Sequence, residues 1–391
     1  MQTLKIVDLT YFSLNFPKLN ENEILRENIL EAIDSIFDSG INILFLEGED
    51  DLGKTTILSQ FTRRRSMQAF SVFLTPINDS SIEIDSILYD LINQIYWLIY
   101  EEDLNENKIY PTHLGYLRRL TDTLRRKKKT TGETFYFVID GLDLFNENHS
   151  EFLKQLFNSL PLGYGFNFLI SGYYDKLKKY FNEDKNTNSK AFPLTSFSLD
   201  EIATFFSDIK TDKSNILEIR KLCNGIPGRV ANLKKYILDQ STSVSETLNE
   251  IDKYETIFIA DWEKVDKTDE LLIDIISCIA LNNKQYELNT LSKIFQVPEK
   301  TIEKKINQIN FLEIDEIAKK VNFTSNGHNR YYSRILKPYK SKIESLLIKY
   351  LISEGSNSIL AIQELPKLYS NSQKWPELIE ILSENNIQQI V

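Results

Sequence analysis

Between residues 41 and 197 the chain repeats one alternation. Short apolar runs, INILFLE (41–47), AFSVFL (69–74), TFYFVID (134–140), FNFLIS (166–171) and AFPLTSF (191–197), are separated by helix-patterned segments. Strands alternating with helices make parallel βαβ units, which constrains this part to a doubly wound α/β sheet. The first run is β-branched and almost wholly apolar, as a central strand covered on both faces requires. Upstream, ENEILRENILEAIDSIFD (21–38) sets Ile24, Leu25, Ile29, Ala32, Ile33, Ile36 and Phe37 at helical spacing, with Gly40 where such a helix is capped.

After residue 198 the pattern becomes helix upon helix: LDEIATFFSDI, SNILEIRKLCNG, GRVANLKKYILDQ and VSETLNEIDKY. TDELLIDIISCIALN, NTLSKIFQ and VPEKTIEKKINQINFL then precede two β-like stretches, EIDEI and KKVNFT. Three helices followed by a hairpin is the order of a winged helix. SKIESLLIKYLISEG, SILAIQELPKLYSNS and KWPELIEILSENN read as helical hairpins with an unburied face, as at the start of an α-helical repeat array. The expected domains are residues 1–198, an α/β nucleotide-binding unit; 199–265, an all-α subdomain; 266–345, the winged helix; and 346–391, the opening of the array.

With 46 Lys plus Arg against 56 Asp plus Glu, the chain carries a net charge of −10, the wrong sign for wrapping nucleic acid, although a local basic patch stays open. Two Cys, far apart, exclude a disulfide framework and fit a reducing compartment, and no apolar run approaches the ~18 residues of a membrane span. A cytoplasmic location without a membrane partner is expected.

Glycine is scarce, 13 in 391 residues, so its clusters are informative. Gly48-Glu49-Asp50-Asp51-Leu52-Gly53-Lys54-Thr55-Thr56 fits G-x-x-x-x-G-K-[ST] between a strand and a helix. Backbone N–H groups of such a loop cradle phosphates, Lys54 reaches the β- and γ-phosphates, and the Thr55 hydroxyl ligates Mg²⁺. Three acids within the loop must point outward. FYFVIDGLDLF ends an apolar strand in Asp140, a candidate Mg²⁺ ligand on a strand expected beside that of the loop, with Asp143 placed to orient or deprotonate water. An ordinary Asp-Gly turn is the bland alternative. Ser171-Gly172 ends another strand, either a γ-phosphate sensor or a plain strand end. Asn224-Gly225-Ile226-Pro227-Gly228-Arg229 is a rigid turn opening a helix; it either lays Pro227 on adenine and turns Arg229 to phosphate, or simply joins two helices.

Arg125-Arg126-Lys127-Lys128-Lys129 reads as a solvated loop ahead of the 134–140 strand rather than a nucleic-acid site. Arg63-Arg64-Arg65 ends the helix after the phosphate loop, where cations suit the helix dipole; an arginine acting on a neighbouring subunit's nucleotide is the alternative.

The series FLEGEDDLGKTTILSQF, FYFVIDGLDLF, FLISGYY and LCNGIPGRV, followed by a winged helix and a helical array, resembles the STAND class of signal-transduction NTPases with numerous domains, related to NACHT and NB-ARC proteins, over residues 20–391. The resemblance implies Walker A at Gly48 to Thr56, Walker B acids at Asp140 and Asp143, a nucleotide-contacting Pro227, and His328 as a loose analogue of the winged-helix histidine. Relatives often carry Arg where this chain has Ser171-Gly172. It further implies ATP and ADP as ligands with Mg²⁺, slow hydrolysis, a homo-oligomer formed when a protein trigger engages the array, and, in bacteria, antiphage defence. No effector domain precedes the NTPase and the array is barely begun, so effector and sensor are expected elsewhere or to have been cut away. Two rival readings are a DNA-associated AAA+-like ATPase of the origin-recognition kind and a nucleotide-free scaffold.

Overall fold

The computed structural model describes residues 8–383 except 14, 19–22, 75–83, 105–111, 146–148, 181–186, 241–242, 252, 283, 316–318 and 356–358. The chain divides into two compact units, one built mainly from residues up to Leu248 and one mainly from Asn249 onward.

In the first unit the expected alternation is present. Helix α1 (Glu27–Asp38) leads to β1 (Ile43–Glu47), α2 (Lys54–Arg64), β2 (Ala69–Phe73), α3 (Ile84–Tyr100), α4 (His113–Thr131), β3 (Tyr136–Asp140), α5 (Ser150–Ser159), β4 (Asn167–Ser171), the short α6 (Tyr174–Leu177) and β5 (Ser189–Pro193). The strands form one parallel sheet in the order β2-β3-β4-β1-β5. Period-two alternation sends their side chains to two separate cores. Ile43, Phe45, Phe137, Ile139, Phe168 and Ile170 meet α3, α4 and α5. Leu44, Leu46, Val138 and Leu169 meet Ile29, Ile33 and Phe37 of α1 and Ile57, Leu58 and Phe61 of α2. Helices therefore cover both faces, and β1, almost wholly buried, lies inside the sheet.

Two expectations need correction here. The strand ending in Asp140 is not beside β1, because β4 lies between them. The basic run 125–129 is not a loop but the end of α4, which continues to Thr131 before Gly132 turns left-handed at φ 74°. Leu117, Leu120 and Leu124 anchor that helix on the core and carry it through the charged residues.

Helices α7 (Leu199–Phe205), α8 (Lys213–Cys223), α9 (Pro227–Gln240) and α10 (Val244–Glu250) follow. A capping box between Ser198 and Glu201 starts α7. Asn224 and Gly225 are both left-handed, at φ 53° and 65°, and close α8 so that Pro227 opens α9 with its preset φ.

The second unit holds α11 (Thr256–Glu263), α12 (Glu270–Asn282), β6 (Tyr286–Glu287), α13 (Leu288–Phe295), α14 (Glu299–Ile306), β7 (Leu312–Ile314), β8 (Lys320–Phe323) and α15 (Asn326–Ile335). A third strand, β6, joins the expected hairpin in an antiparallel sheet of order β6-β8-β7, completing the winged-helix arrangement with α12, α13 and α14. Helices α16 (Lys340–Ser353), α17 (Ile359–Asn371) and α18 (Trp375–Ser383) close the described chain. Among the described residues no helix is long and apolar enough to cross a membrane.

Candidate nucleotide site

Strand β1 ends at Glu47, and the backbone loops through residues 48–53 before α2 begins at Lys54. The loop requires glycine at position 53, and Gly48 leaves room for the Leu52 side chain. A Cβ on Gly48 would stand 2.9 Å from Leu52 Cδ1, and Gly53 sits at φ 87°, the left-handed turn that leads the chain into α2. Leu52 is buried in the core beneath the loop, so it anchors the turn while the backbone faces outward. Glu49 and Asp50 are exposed, as an acidic phosphate loop demands, whereas Asp51 is half-buried at φ 68°.

Lys54 Nζ donates to the Gly48 and Glu49 carbonyls at 2.7 and 3.1 Å and pairs with Asp143 Oδ2 at 3.0 Å. Thr55 Oγ1 donates to Asp140 Oδ2 at 2.5 Å. The strand ends thus converge on one point even though β4 separates β1 from β3. Ser171, at the end of that intervening strand and fully buried, accepts the Gly141 N–H at 2.7 Å and hydrogen-bonds the Asp140 carboxylate. Ser171 is therefore brought to the site, where it holds Asp140 in place. Burial raises the Asp140 carboxyl above its ordinary value; the bonds from Ser171 and Thr55 oppose the rise, and the charge of Asp143 adds to it.

Gly141, at φ 89°, follows β3 and packs against Leu74, which follows β2: a Cβ there would stand 2.2 Å from the Leu74 carbonyl oxygen. Only glycine lets the chain turn here and present Asp143 to Lys54.

The turn opening α9 meets the phosphate loop directly. The Gly228 N–H donates to the Asp51 carbonyl at 2.9 Å, and Pro227 Cβ lies 4.0 Å from where a Gly53 Cβ would be. Pro227 is thus at the loop. Arg229 is half-buried, close enough to Cys223 to act on its thiol electrostatically. His328 lies in the second unit and its ring bonds stay within that unit: Nε2 is 3.1 Å from Asp261 Oδ2 and Nδ1 is 2.8 Å from Ser325 Oγ, with the ring buried against Phe258.

Two residues escape sequence reasoning. Tyr173 donates its hydroxyl to the Gly48 carbonyl at 3.3 Å, on the rim of the loop. Arg26 is buried, pairs with Glu201 at 2.7 Å and donates to the Thr195 carbonyl at 3.0 Å. It joins the segment before α1 to the start of α7. A lone arginine ahead of an amphipathic helix carries no pattern that would mark it. Arg63, Arg64 and Arg65 pair with Glu23, Glu27 and Asp34, so all three engage acids of their own chain.

No family model and no curated protein matches the sequence. In structure the chain is similar to a signal-transduction ATPase with numerous domains, bearing a tetratricopeptide repeat sensor, from Pyrococcus horikoshii, at 13% identity and a TM-score of 0.55 over 99% of this chain. The fold is that of a P-loop NTPase. The chain spans about half, 53%, of the length of that protein. Other P-loop folds that match are a Walker-type ATPase of Pyrococcus abyssi (15% identity, TM-score 0.46, 82% of this chain and 98% of that one) and the Cdc6 protein of Pyrobaculum aerophilum (11%, 0.37, 85% and 97%).

For a P-loop NTPase the donors at the Thr55–Asp140 junction are apt. A hydroxyl and one carboxylate are hard oxygen ligands of the kind that would hold Mg²⁺, which would neutralise charge on a bound phosphate. Among the described residues no group of three or more His, Cys, Asp or Glu is arranged to hold a metal alone.

Proposed function

We propose that this chain is a nucleotide-operated switch of the STAND type. ATP or ADP on the loop 48–56, with Mg²⁺ at Thr55 and Asp140, sets the position of the helices that follow the sheet. The observation that carries this reading is the seating of α9 on the phosphate loop through Gly228 N–H and the Asp51 carbonyl. Any nucleotide that reshapes the loop must act on that contact, and a ligand biases only states with which it interacts differently.

The side chains divide the work. Lys54 is the counter-charge for the β- and γ-phosphates, and it must leave Asp143 to reach them. Asp143, so released, is the group that orients or deprotonates the attacking water. Ser171 acts through Asp140, holding the carboxylate toward Thr55. Turnover is slow in this reading. The chain parts into a nucleotide unit at 1–198, a helical subdomain at 199–265, a winged helix at 266–345 and the opening of a repeat array at 346–391, against which a protein trigger docks before self-association. A bacterial antiphage role belongs to the same proposal, supported by the motif series alone.

Calorimetry tests it. Wild type is expected to bind ATP and ADP, and Lys54→Ala to bind both about 10- to 100-fold more weakly, the value of a hydrogen bond to a charged group. Failure of wild type to bind either nucleotide overturns the proposal and leaves a scaffold.

A further inference from the structure

Helix α4 carries seven cations against one acid, Asp122, a local balance of +6 in a chain whose net charge is −10. Its apolar side is fixed on the core by Leu117, Leu120 and Leu124, so Arg118, Arg119, Arg125, Arg126 and Lys129 face solvent. None of these five has a carboxylate partner among the described residues, and Lys127 reaches Glu133 only at 3.9 Å. Other cations of the unit are closely paired, among them Arg64 with Glu27 at 2.5 Å and Lys234 with Asp208 at 2.6 Å. The helix dipole favours cations in the last turn, which accounts for Lys128 and Lys129 but not for Arg118 and Arg119 about three turns earlier.

Arg118, Arg125 and Lys129 recur at i, i+7 and i+11, a row about 16 Å long on one edge of the helix at 1.5 Å per residue. Beside the row stands an exposed aromatic. The Tyr164 ring centroid is 5.7 Å from the Arg125 guanidinium, and Lys128 Nζ holds the adjoining loop through the Gly165 carbonyl at 2.5 Å. Aligned cations with an aromatic platform are the combination that takes a single strand, charge tracking phosphates and the ring stacking a base. An acidic protein surface needs only the charges. The usual reading element of a winged helix is a weaker candidate, since the exposed residues of α14 mix Glu299 and Glu303 with Lys300 and Lys304.

We propose that α4 and Tyr164 form a binding face for single-stranded nucleic acid. This stands independently of the nucleotide reading. The full chain is titrated against labelled single-stranded DNA and RNA oligomers of about 20 nucleotides, and against a duplex of the same sequence, from 50 to 200 mM salt. Wild type is expected to bind the single strands more tightly than the duplex, with log K falling against log salt at a slope of about −2 to −3, the signature of three or four phosphate contacts. Arg118→Gln/Arg125→Gln/Lys129→Gln weakens binding at least about tenfold and flattens the slope. Tyr164→Ala weakens it about 5- to 100-fold with the slope unchanged. Lys300→Gln/Lys304→Gln binds as wild type. Arg119→Gln/Arg126→Gln repeats the charge test should the triple variant melt early. The proposal is overturned by wild type that binds no oligomer at 50 mM salt, by charge variants that bind like wild type, or by preference for the duplex. Self-association that the triple variant loses, without oligomer binding, likewise overturns it and assigns the face to an acidic protein surface.

Discussion

Thr55 Oγ1 donates to Asp140 Oδ2 at 2.5 Å, joining the first turn of α2 to the end of β3, 85 positions along the chain and on a strand that is not a neighbour of β1. Asp140 is buried, and burial raises its carboxyl above the usual 3.8. Holding that carboxylate ionised costs stability until a cation arrives. Asp140→Asn is therefore expected to raise the melting temperature of the nucleotide-free protein by a few degrees, since about 1 kcal/mol moves a domain of this size by roughly 2–4 °C, while abolishing Mg²⁺-dependent turnover. The sign with pH follows from the raised value. The fold favours the protonated form, so the stabilisation is complete below 3.8 and is lost as pH rises through the folded value. The gap between variant and wild type should be narrowest near pH 4 and widen toward 7. A variant that melts below wild type at pH 7 rejects the stored cost.

Lys54 is held by Asp143 at 3.0 Å, both side chains being largely buried. A phosphate entering the loop must break this pair. Asp143→Asn leaves the lysine freer, so ATP is expected to bind about fivefold more tightly, the equivalent of about 1 kcal/mol, while hydrolysis falls because the water loses its carboxylate. Calorimetry and single-turnover phosphate release separate the two effects. Weaker ATP binding by the variant would mean that Asp143 supports the lysine instead of restraining it.

The alternating runs made the sheet legible, because a strand covered on both faces has few sequence solutions. The order of the strands was not legible. Nothing in FYFVIDGLDLF says that FNFLIS will insert between it and β1, and that insertion brings Ser171 to Asp140. The phosphate loop and the Asp-Gly-Leu-Asp turn were evident because glycine was needed where backbones nearly touch, as Gly141 shows against Leu74. Helix α15 was missed because its opening, Ser325-Asn326-Gly327-His328, reads as a loop; the Ser325 side chain accepts the His328 N–H and starts a helix there. Arg26 was missed because its importance is wholly tertiary.

Arg26 lies under the start of α7, bonded to Glu201 at 2.7 Å and to the Thr195 carbonyl at 3.0 Å, with its guanidinium 5.3 Å from the Phe197 ring centroid. Burial works to raise the Glu201 carboxyl, but the Ser198 N–H and the guanidinium outweigh it and the value falls below 4.5. Removing Arg26 leaves the half-buried Glu201 carboxylate with the Ser198 N–H but without its guanidinium, and leaves the Thr195 carbonyl without that donor. Arg26→Ala is expected to destabilise the protein by about 2 kcal/mol, less than a fully buried pair because Glu201 is partly exposed, and Arg26→Met/Glu201→Leu by much less, as measured by denaturant unfolding. The depressed Glu201 value adds a pH test: its stabilisation is present above about 4.5 and lost as pH falls through the folded value, so the penalty of Arg26→Ala should shrink in acid. Equal penalties for the single and double variants would show that Arg26 acts by packing alone.

Gly228 separates local helix preference from contact with the phosphate loop. Alanine favours a helix over glycine by about 1 kcal/mol, so Gly228→Ala in an unhindered α9 would stabilise it. Here a Cβ would lie 2.7 Å from Asp51 Cβ and 3.2 Å from its carbonyl oxygen, too close without movement. Asp51 has little room to yield, since it already holds φ 68°, strained for a residue with a side chain. Gly228→Ala should therefore fail to raise the melting temperature and should release a fluorescent ADP analogue faster than wild type, because the first turn of α9 no longer seats on the loop. Asp51→Gly removes Cβ and Cγ, leaves only the carbonyl oxygen at 3.2 Å, and tolerates φ 68° with freedom to shift, so Asp51→Gly/Gly228→Ala should regain much of the alanine's helix stabilisation and slow release again. Additive effects of the two substitutions on release would mean that α9 does not report the state of the phosphate loop.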